Sequence, residues 1–300
     1  MKIREINFGK QNSNTVYHYT SPEGLLSILQ SRALRFTDCQ FFNDKLEYIY
    51  IKKPISQIMN KMSSKMRNQY LVENVDMWLK GDYEVYEKEK HLKERYYVFC
   101  TSTDHDSLNM WNYYIKNNKY QGYNIGISIG KLLKYLEELE YCNYEIWHGP
   151  VVYNNSEQEK IIFDLIQKLD EILWKIKSEV SFDSYWNIYL QKAQEEIINS
   201  IEVYRLFFKD SAFMQEKEYR FVLKVPIDIE ETSCLASGYR IREGIISPYV
   251  DLKFDEEILE SITLAPMLEK EIAKKGIELF MDKTKYKKDI ELIDSSIWIR

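Results

Sequence analysis

The sequence predicts a mixed α+β fold built around a central, partly antiparallel sheet. Short segments rich in β-branched and aromatic residues are scattered along the chain. The helical segments between them do not alternate with strands in strict βαβ order, which disfavours a doubly wound parallel sheet. A third observation narrows the class. With only 10 Gly and 6 Pro in 300 residues, the chain contains neither G-x-G-x-x-G nor G-x-x-x-x-G-K-[ST]. A Rossmann dinucleotide fold and a P-loop NTPase therefore lack their fingerprints. The same scarcity argues against a collagenous, linker-rich or disordered chain. The 24 Tyr accompany a general Ile-, Lys-, Asn- and Tyr-rich bias.

The first predicted strand is Thr15–Thr20 (TVYHYT). Ser21-Pro22-Glu23 then reads as an N-cap followed by proline at the first helical position, opening a helix through GLLSILQSRAL. Leu25, Leu26, Ile28 and Leu29 form its apolar face. Pro54 to about Lys90 is a Met- and Lys-rich helical stretch. Strands are predicted at Arg95–Ser102, Tyr123–Ile129, Glu145–Tyr153, Tyr219–Val225, Tyr249–Phe254, Ser261–Leu264 and Ile290–Ile293. Between the third and fourth of these, Glu157 to about Phe208 is the longest helical pattern and holds no Gly or Pro. It reads as a helical insertion or a lobe packed on the sheet. A last helix is predicted near Met267–Asp282. No linker composition interrupts the chain, so it reads as one domain, 1–300, with helical insertions at about 54–90 and 155–208.

The net charge of −6 opposes unassisted binding to phosphate backbones. Lys52, Lys53, Lys61, Lys65 and Arg67 form a local basic stretch, read either as a solvated helix face or as a contact for nucleic acid or an acidic partner. Cys39, Cys100, Cys142 and Cys234 lie far apart without C-x-x-C spacing, the pattern of reduced thiols. The first residues carry no apolar signal core, and no apolar run approaches the ~20 residues of a membrane span, so a cytoplasmic location is expected. His91, His105 and His148 lack metal-site spacing and there is no H-E-x-x-H, so no metal is expected. A G-x-S-x-G hydrolase elbow is missing too.

Four constellations hold chemistry-bearing residues. His18, Tyr19 and Thr20 end the first strand; alternation puts His18 and Thr20 on one face, where an imidazole and a hydroxyl suit ribose hydroxyls or an amide. Phe42-Asn43-Asp44 with Glu47 suits an Asx-turn or helix cap, or a polar group orienting a ligand. Ser102 sits in a Thr-Ser-Thr run, followed by a helix starting near Asp106-Ser107 that carries Trp111 and Tyr114 three residues apart on one face. Finally, a strand starting near Glu216 would align Glu216, Glu218 and Arg220, two carboxylates and a guanidinium able to tune one another's ionisation. A surface ion-pair ladder is the alternative reading of that last group.

In this order the motifs H-Y-T, F-N-D-x-x-E, M-W-x-x-Y and E-x-E-x-R resemble a bacterial family of domains of unknown function grouped with the ADP-ribosyltransferase superfamily. The resemblance spans about residues 15–265, loosely over 155–208. It implies an ADP-ribosyltransferase-like split sheet holding NAD as co-substrate. His18 would bind a ribose, Thr20 or its backbone would support the carboxamide, Tyr19 and Asn43 would join them in binding the cofactor, and Ser102, Trp111 or Tyr114 would pack the nicotinamide. Glu218, with Glu216 second, would be catalytic, and Arg220 would grip pyrophosphate or hold the glutamates. No arginine opens the first strand, which disfavours the cholera-toxin-like class. The resemblance further implies an intracellular toxin or anti-phage effector, with a nucleic acid or protein acceptor and an antitoxin or defence-system partner. An NAD glycohydrolase, an RNA 2′-phosphotransferase-like enzyme and a non-catalytic nucleotide-sensing module are the alternatives.

Overall fold

A computed structural model describes residues 1–6, 14–42, 49–62, 75, 94–115, 119–139, 144–179, 199–228, 232, 234–242, 244–286 and 290–298. Of the residues singled out above, Asn43, Asp44, Glu47, Lys65, Arg67, His91 and Cys142 lie outside them. The chain divides into two compact units. The first comprises Met1–Phe41, Arg95–Pro150 and Met214–Arg300; the second comprises Phe42–Glu94 and Val151–Phe213.

The first unit is built on a mixed sheet. Its strands are β1 (Lys2–Glu5), β2 (Thr15–Thr20), β3 (Ala33–Asp38), β4 (Glu94–Ser102), β5 (Tyr123–Ser128), β6 (Glu145–Pro150), β7 (Glu218–Pro226), β8 (Leu235–Arg242), β9 (Ile245–Lys253), β10 (Leu259–Leu264) and β11 (Glu291–Asp294). The main path runs β1-β6-β7-β4-β2-β5-β10-β11, and the layer β3-β9-β8 branches from β4. β1 with β6 and β10 with β11 are parallel pairs; the other described ladders are antiparallel. The predicted α+β class and mixed sheet are therefore present.

One face of the sheet is dry. Leu34, Phe36, Phe99, Ile125, Phe221 and Leu252 are at most 2% exposed and belong to one apolar cluster. Burying each such side chain stabilises the fold by roughly 1.5–3 kcal/mol. Helix α1 (Pro22–Ser31) covers part of it with Leu25, Ile28 and Leu29. Ser21 caps that helix as expected, its Oγ accepting from Gly24 N at 3.2 Å. The helix stops earlier than its periodicity suggests. Arg32 turns into the left-handed region at φ 48°, and Ala33 and Leu34 join β3, where Leu34 pairs with Leu252. Ladder pairing overrides the local pattern there.

Other differences are local. β5 ends at Ser128 because Ile129 opens a helix, α3 in chain order after α2 (Leu108–Ile115), which runs to Glu137. β6 ends at Pro150, which has no N–H to continue a ladder. β1, β3, β8 and α3 have no counterpart among the predicted elements. A final helix, α4 (Lys270–Thr284), completes the unit.

In the second unit, Lys52–Met62 and Asn155–Glu179 are helices and residues 199–204 are helical. Gln158 ties the segments together, its amide donating to Val152 O at 2.7 Å and Lys209 O at 3.0 Å. Lys61 of the basic stretch pairs with Glu159, Nζ to Oε2 2.6 Å, on the surface. The described residues lining an apolar gap in this unit, Ile55, Val75, Ile162 and Ile201 among them, are all apolar.

Candidate functional site

The site follows from how β4 shares one of its edges. Near its C-terminal end, β4 pairs with β2 at Tyr17↔Ser102; further back it pairs with β3 at Thr37↔Val98 and Asp38↔Tyr97. β2 and β3 thus diverge along the same edge of β4, leaving Phe99 to Thr101 at a fork. Backbone groups at such a fork need other partners. His18 supplies one: its Nδ1 lies 3.0 Å from Cys100 O, and its ring packs 4.6 Å from the Phe99 ring.

That bond fixes the imidazole's chemistry. A carbonyl oxygen only accepts, so Nδ1 carries the proton and Nε2 of the neutral ring is an acceptor. Burial, outweighing the bond to Cys100 and joined by the charge of Arg240, lowers the His18 pKa and keeps the ring neutral at pH 7. Next to it, Thr20 is partly exposed, and its Oγ1 occupies the space that a side chain on Gly24 would need. Only glycine lets α1 begin that close to β2.

On the opposite side of β2, Tyr19 is 3% exposed and anchors the loop before α2. Its hydroxyl donates to Asp104 O at 2.8 Å and accepts from Ser107 N at 3.0 Å. The Trp111 ring meets it edge-on at 4.6 Å and the Tyr114 ring lies nearly parallel at 6.4 Å. The two helix aromatics share Tyr19, but their exposure differs sharply. Trp111 is fully buried and donates Nε1 to Asp106 Oδ1 at 2.8 Å, whereas Tyr114 keeps 44% of its surface exposed. Of the two, only Tyr114 keeps exposed surface. Its pKa is raised by burial of the hydroxyl first and then by the charges of Glu218, Cys100 and Glu216.

The carboxylates lie near enough to Tyr114 for their charges to act on its hydroxyl. Residues Ser211–Glu216 form a 3₁₀ turn, Lys217 takes the left-handed φ of 44°, and β7 begins only at Glu218. The strand does not start near Glu216, and the left-handed residue breaks the expected alignment of Glu216 with Glu218 and Arg220. Those two do share a face. Arg220 donates Nε to Glu218 Oε2 at 2.6 Å, and its Nη2 bonds the same oxygen, with Glu218 4% and Arg220 1% exposed. Ser102 is wholly buried and holds the turn, donating Oγ to Glu216 O at 2.7 Å and accepting from Asp104 N at 3.1 Å. His18 and Thr20 thus keep accessible surface on one side of β2, and Tyr114 keeps it on the other, next to Tyr19 and under the charges of Glu218, Glu216 and Arg220; Trp111 and Ser102 are sealed.

Two further residues bear on this group: Asp106, which the sequence marks only as part of a helix start, and Arg240, which it does not single out. Asp106 gathers Trp111 Nε1, Ser295 Oγ at 2.7 Å, and Ser296 N and Oγ at 2.8 and 2.9 Å. Burial alone would raise its pKa; these donors together lower it. Arg240 of β8, whose charge reaches His18, donates Nη2 to Thr37 Oγ1 at 2.7 Å. A basic residue alternating with Gly238 and Arg242 was the one signal for it.

Among the described residues, no group of three or more His, Cys, Asp or Glu could hold a metal ion, and no helix is long and apolar enough to cross a membrane. Cys39, Cys100 and Cys234 form no disulfide. Residues 110–221 match a family described as a protein of unknown function (DUF2971). No curated protein and no solved structure matches the chain.

Proposed function

We propose that the fork is a nucleotide site and that the protein is an NAD-consuming ADP-ribosyltransferase. The observation that supports this best is the His18 imidazole held neutral at the fork, with Nδ1–H on Cys100 O and Nε2 left as an acceptor for a ribose hydroxyl. Thr20 adds a hydroxyl at the same strand end, and the exposed surface of Tyr114 suits a flat nicotinamide ring. Cleaving the nicotinamide–ribose bond develops positive charge on the sugar. A preorganised carboxylate beside that carbon stabilises the transition state more than the ground state, the role assigned to Glu218, with Glu216 second. Arg220 is the positioning residue that fixes the Glu218 carboxylate. An intracellular toxin or defence-effector role, with a nucleic acid or protein acceptor, goes with this reading.

One observation favours a second reading, a non-catalytic nucleotide-binding module. The Glu218 charge is offset by Arg220 at hydrogen-bond distance, which weakens its field at a substrate. Nicotinamide release from NAD separates the two. The enzyme releases it, and Glu218→Gln lowers the rate by about 100-fold or more in protein shown by circular dichroism to be folded at the assay temperature. Its melting temperature falls, because Arg220 is left buried without its carboxylate. NAD binding without release establishes the module instead. Loss of release in Glu216→Gln alone would move the catalytic role to Glu216.

A further inference from the structure

The layer β3-β9-β8 carries a charge pattern of which the fork feels only Arg240, through His18. Cross-strand pairs point to the same face of a sheet. The registers Arg35↔Asp251, Thr37↔Tyr249, Gly238↔Tyr249, Arg240↔Ser247 and Arg242↔Ile245 therefore set Arg35, Thr37, Tyr249, Asp251, Ser247, Arg240 and Arg242 on one face. Asp251 is fully engaged by Arg35 through two 2.8 Å bonds, while the Arg35 guanidinium lies 3.7 Å from the Tyr249 ring centroid. Among the described residues, Arg240 and Arg242 form no ion pair with a carboxylate, and the charge of Asp251, already paired with Arg35, reaches Arg240 only from beyond pairing distance.

Arg240 reaches across β9 to Thr37 Oγ1, a neutral acceptor on β3. Its Nε is buried without a hydrogen-bond partner. Its register partner Ser247 is 2% exposed, and the Ser247 Oγ is likewise buried and unpartnered. A buried polar atom left unsatisfied typically costs about 1–3 kcal/mol, so two in register call for a bound group. Burial first, then the charges of Arg242 and Arg35, weaken the hold of Arg240 on its proton. An anion at this place would reverse those costs, and a guanidinium fork matches the oxygens of a phosphate.

We propose that Arg240, Arg242 and the Ser247 hydroxyl form a binding site for a phosphate group, carried by a nucleotide or free in solution. The site stands on the β8–β9 register and does not depend on NAD turnover.

Calorimetric titration of the full chain with inorganic pyrophosphate, then with ADP, at low ionic strength tests it. Wild type binds pyrophosphate, Arg240→Gln weakens that binding by about tenfold or more, and Ser247→Ala weakens it several-fold. Lys131→Gln, on an exposed lysine paired with Glu260, leaves it unchanged. ADP bound at least tenfold tighter than pyrophosphate assigns the site to a nucleotide; equal affinities assign it to free phosphate, and either sustains an anion site. No pyrophosphate binding by the wild type, or unchanged binding by a folded Arg240→Gln, overturns the proposal. Where the melting curve shows Arg240→Gln unfolded, Arg242→Gln decides: weaker binding supports the site and unchanged binding overturns it. Pyrophosphate binding is read without NAD turnover, so a failure of the NAD reading leaves this result intact.

Discussion

The two edges of β2 have opposite designs. Toward β5, every residue from Thr15 to Thr20 has a ladder partner, from Thr15↔Ser128 to Thr20↔Tyr123. Toward β4, one pair closes the ladder, Tyr17↔Ser102, and a side chain takes over at Cys100. The closed edge fixes where β2 stands in the sheet. The open edge uses that rigidity to hold an imidazole in one tautomer, which a flexible loop would not do. A binding group gains precision when the element beneath it is locked elsewhere.

The largest effect is expected at the pair of Glu218 and Arg220. Arg220→Met leaves the Glu218 carboxylate buried without its guanidinium and should destabilise the protein by about 3–5 kcal/mol, read by urea unfolding. A loss below about 1 kcal/mol would show that the pair is not buried as described. Next comes the closed edge. A Cβ on Gly122 would lie 2.8 Å from Thr20 O and 2.6 Å from Ile115 Cγ2, so Gly122→Ala should cost about 1–3 kcal/mol in the same measurement. Tyr19→Phe removes the hydroxyl bridging Asp104 O and Ser107 N, and should cost about 1 kcal/mol while loosening α2. Faster amide exchange at Ser107 would report the loosening; unchanged exchange would mean the loop is held by other groups.

The pH dependence is the smallest and most specific effect. The folded-state pKa of His18 is depressed, so its contribution is fully present above the unfolded value of about 6.5 and is lost as pH falls below it. The folded-state pKa of Asp106 is also depressed; its contribution is lost only below about 4, as pH falls past the unfolded value toward the folded one. Denaturant midpoints of wild type and His18→Gln should converge as pH drops from 7 toward 5. Curves that stay parallel would place no depressed titration at His18.

Much of the frame was legible because its signals are local. Ser21-Pro22 marked the start of α1, and TVYHYT and RYYVFCTS marked the strands that form the fork. What was not legible depends on distant partners. Arg32 ends α1 although Leu34 continues its apolar period, because β9 takes Leu34 into a ladder. Trp111 and Tyr114 have the same spacing signal, yet Trp111 packs among Tyr19, Met110, Ile115 and Ala265 with Asp106 accepting from its Nε1, while Tyr114 stays partly exposed. Lys217 looks like any strand residue, yet its left-handed backbone separates Glu216 from Glu218. Arg240 gains its meaning only from registers with Ser247 on β9 and, across β9, Thr37 on β3.

The central claim is that the open edge of β2, and not the closed one, binds a nucleotide. Equilibrium binding of NAD to wild type, His18→Ala and Lys131→Gln tests it most directly. The account predicts saturable binding to wild type, at least tenfold weaker binding to folded His18→Ala, and no change in Lys131→Gln. No NAD binding by the wild type, or equal affinity in wild type and His18→Ala, would contradict it.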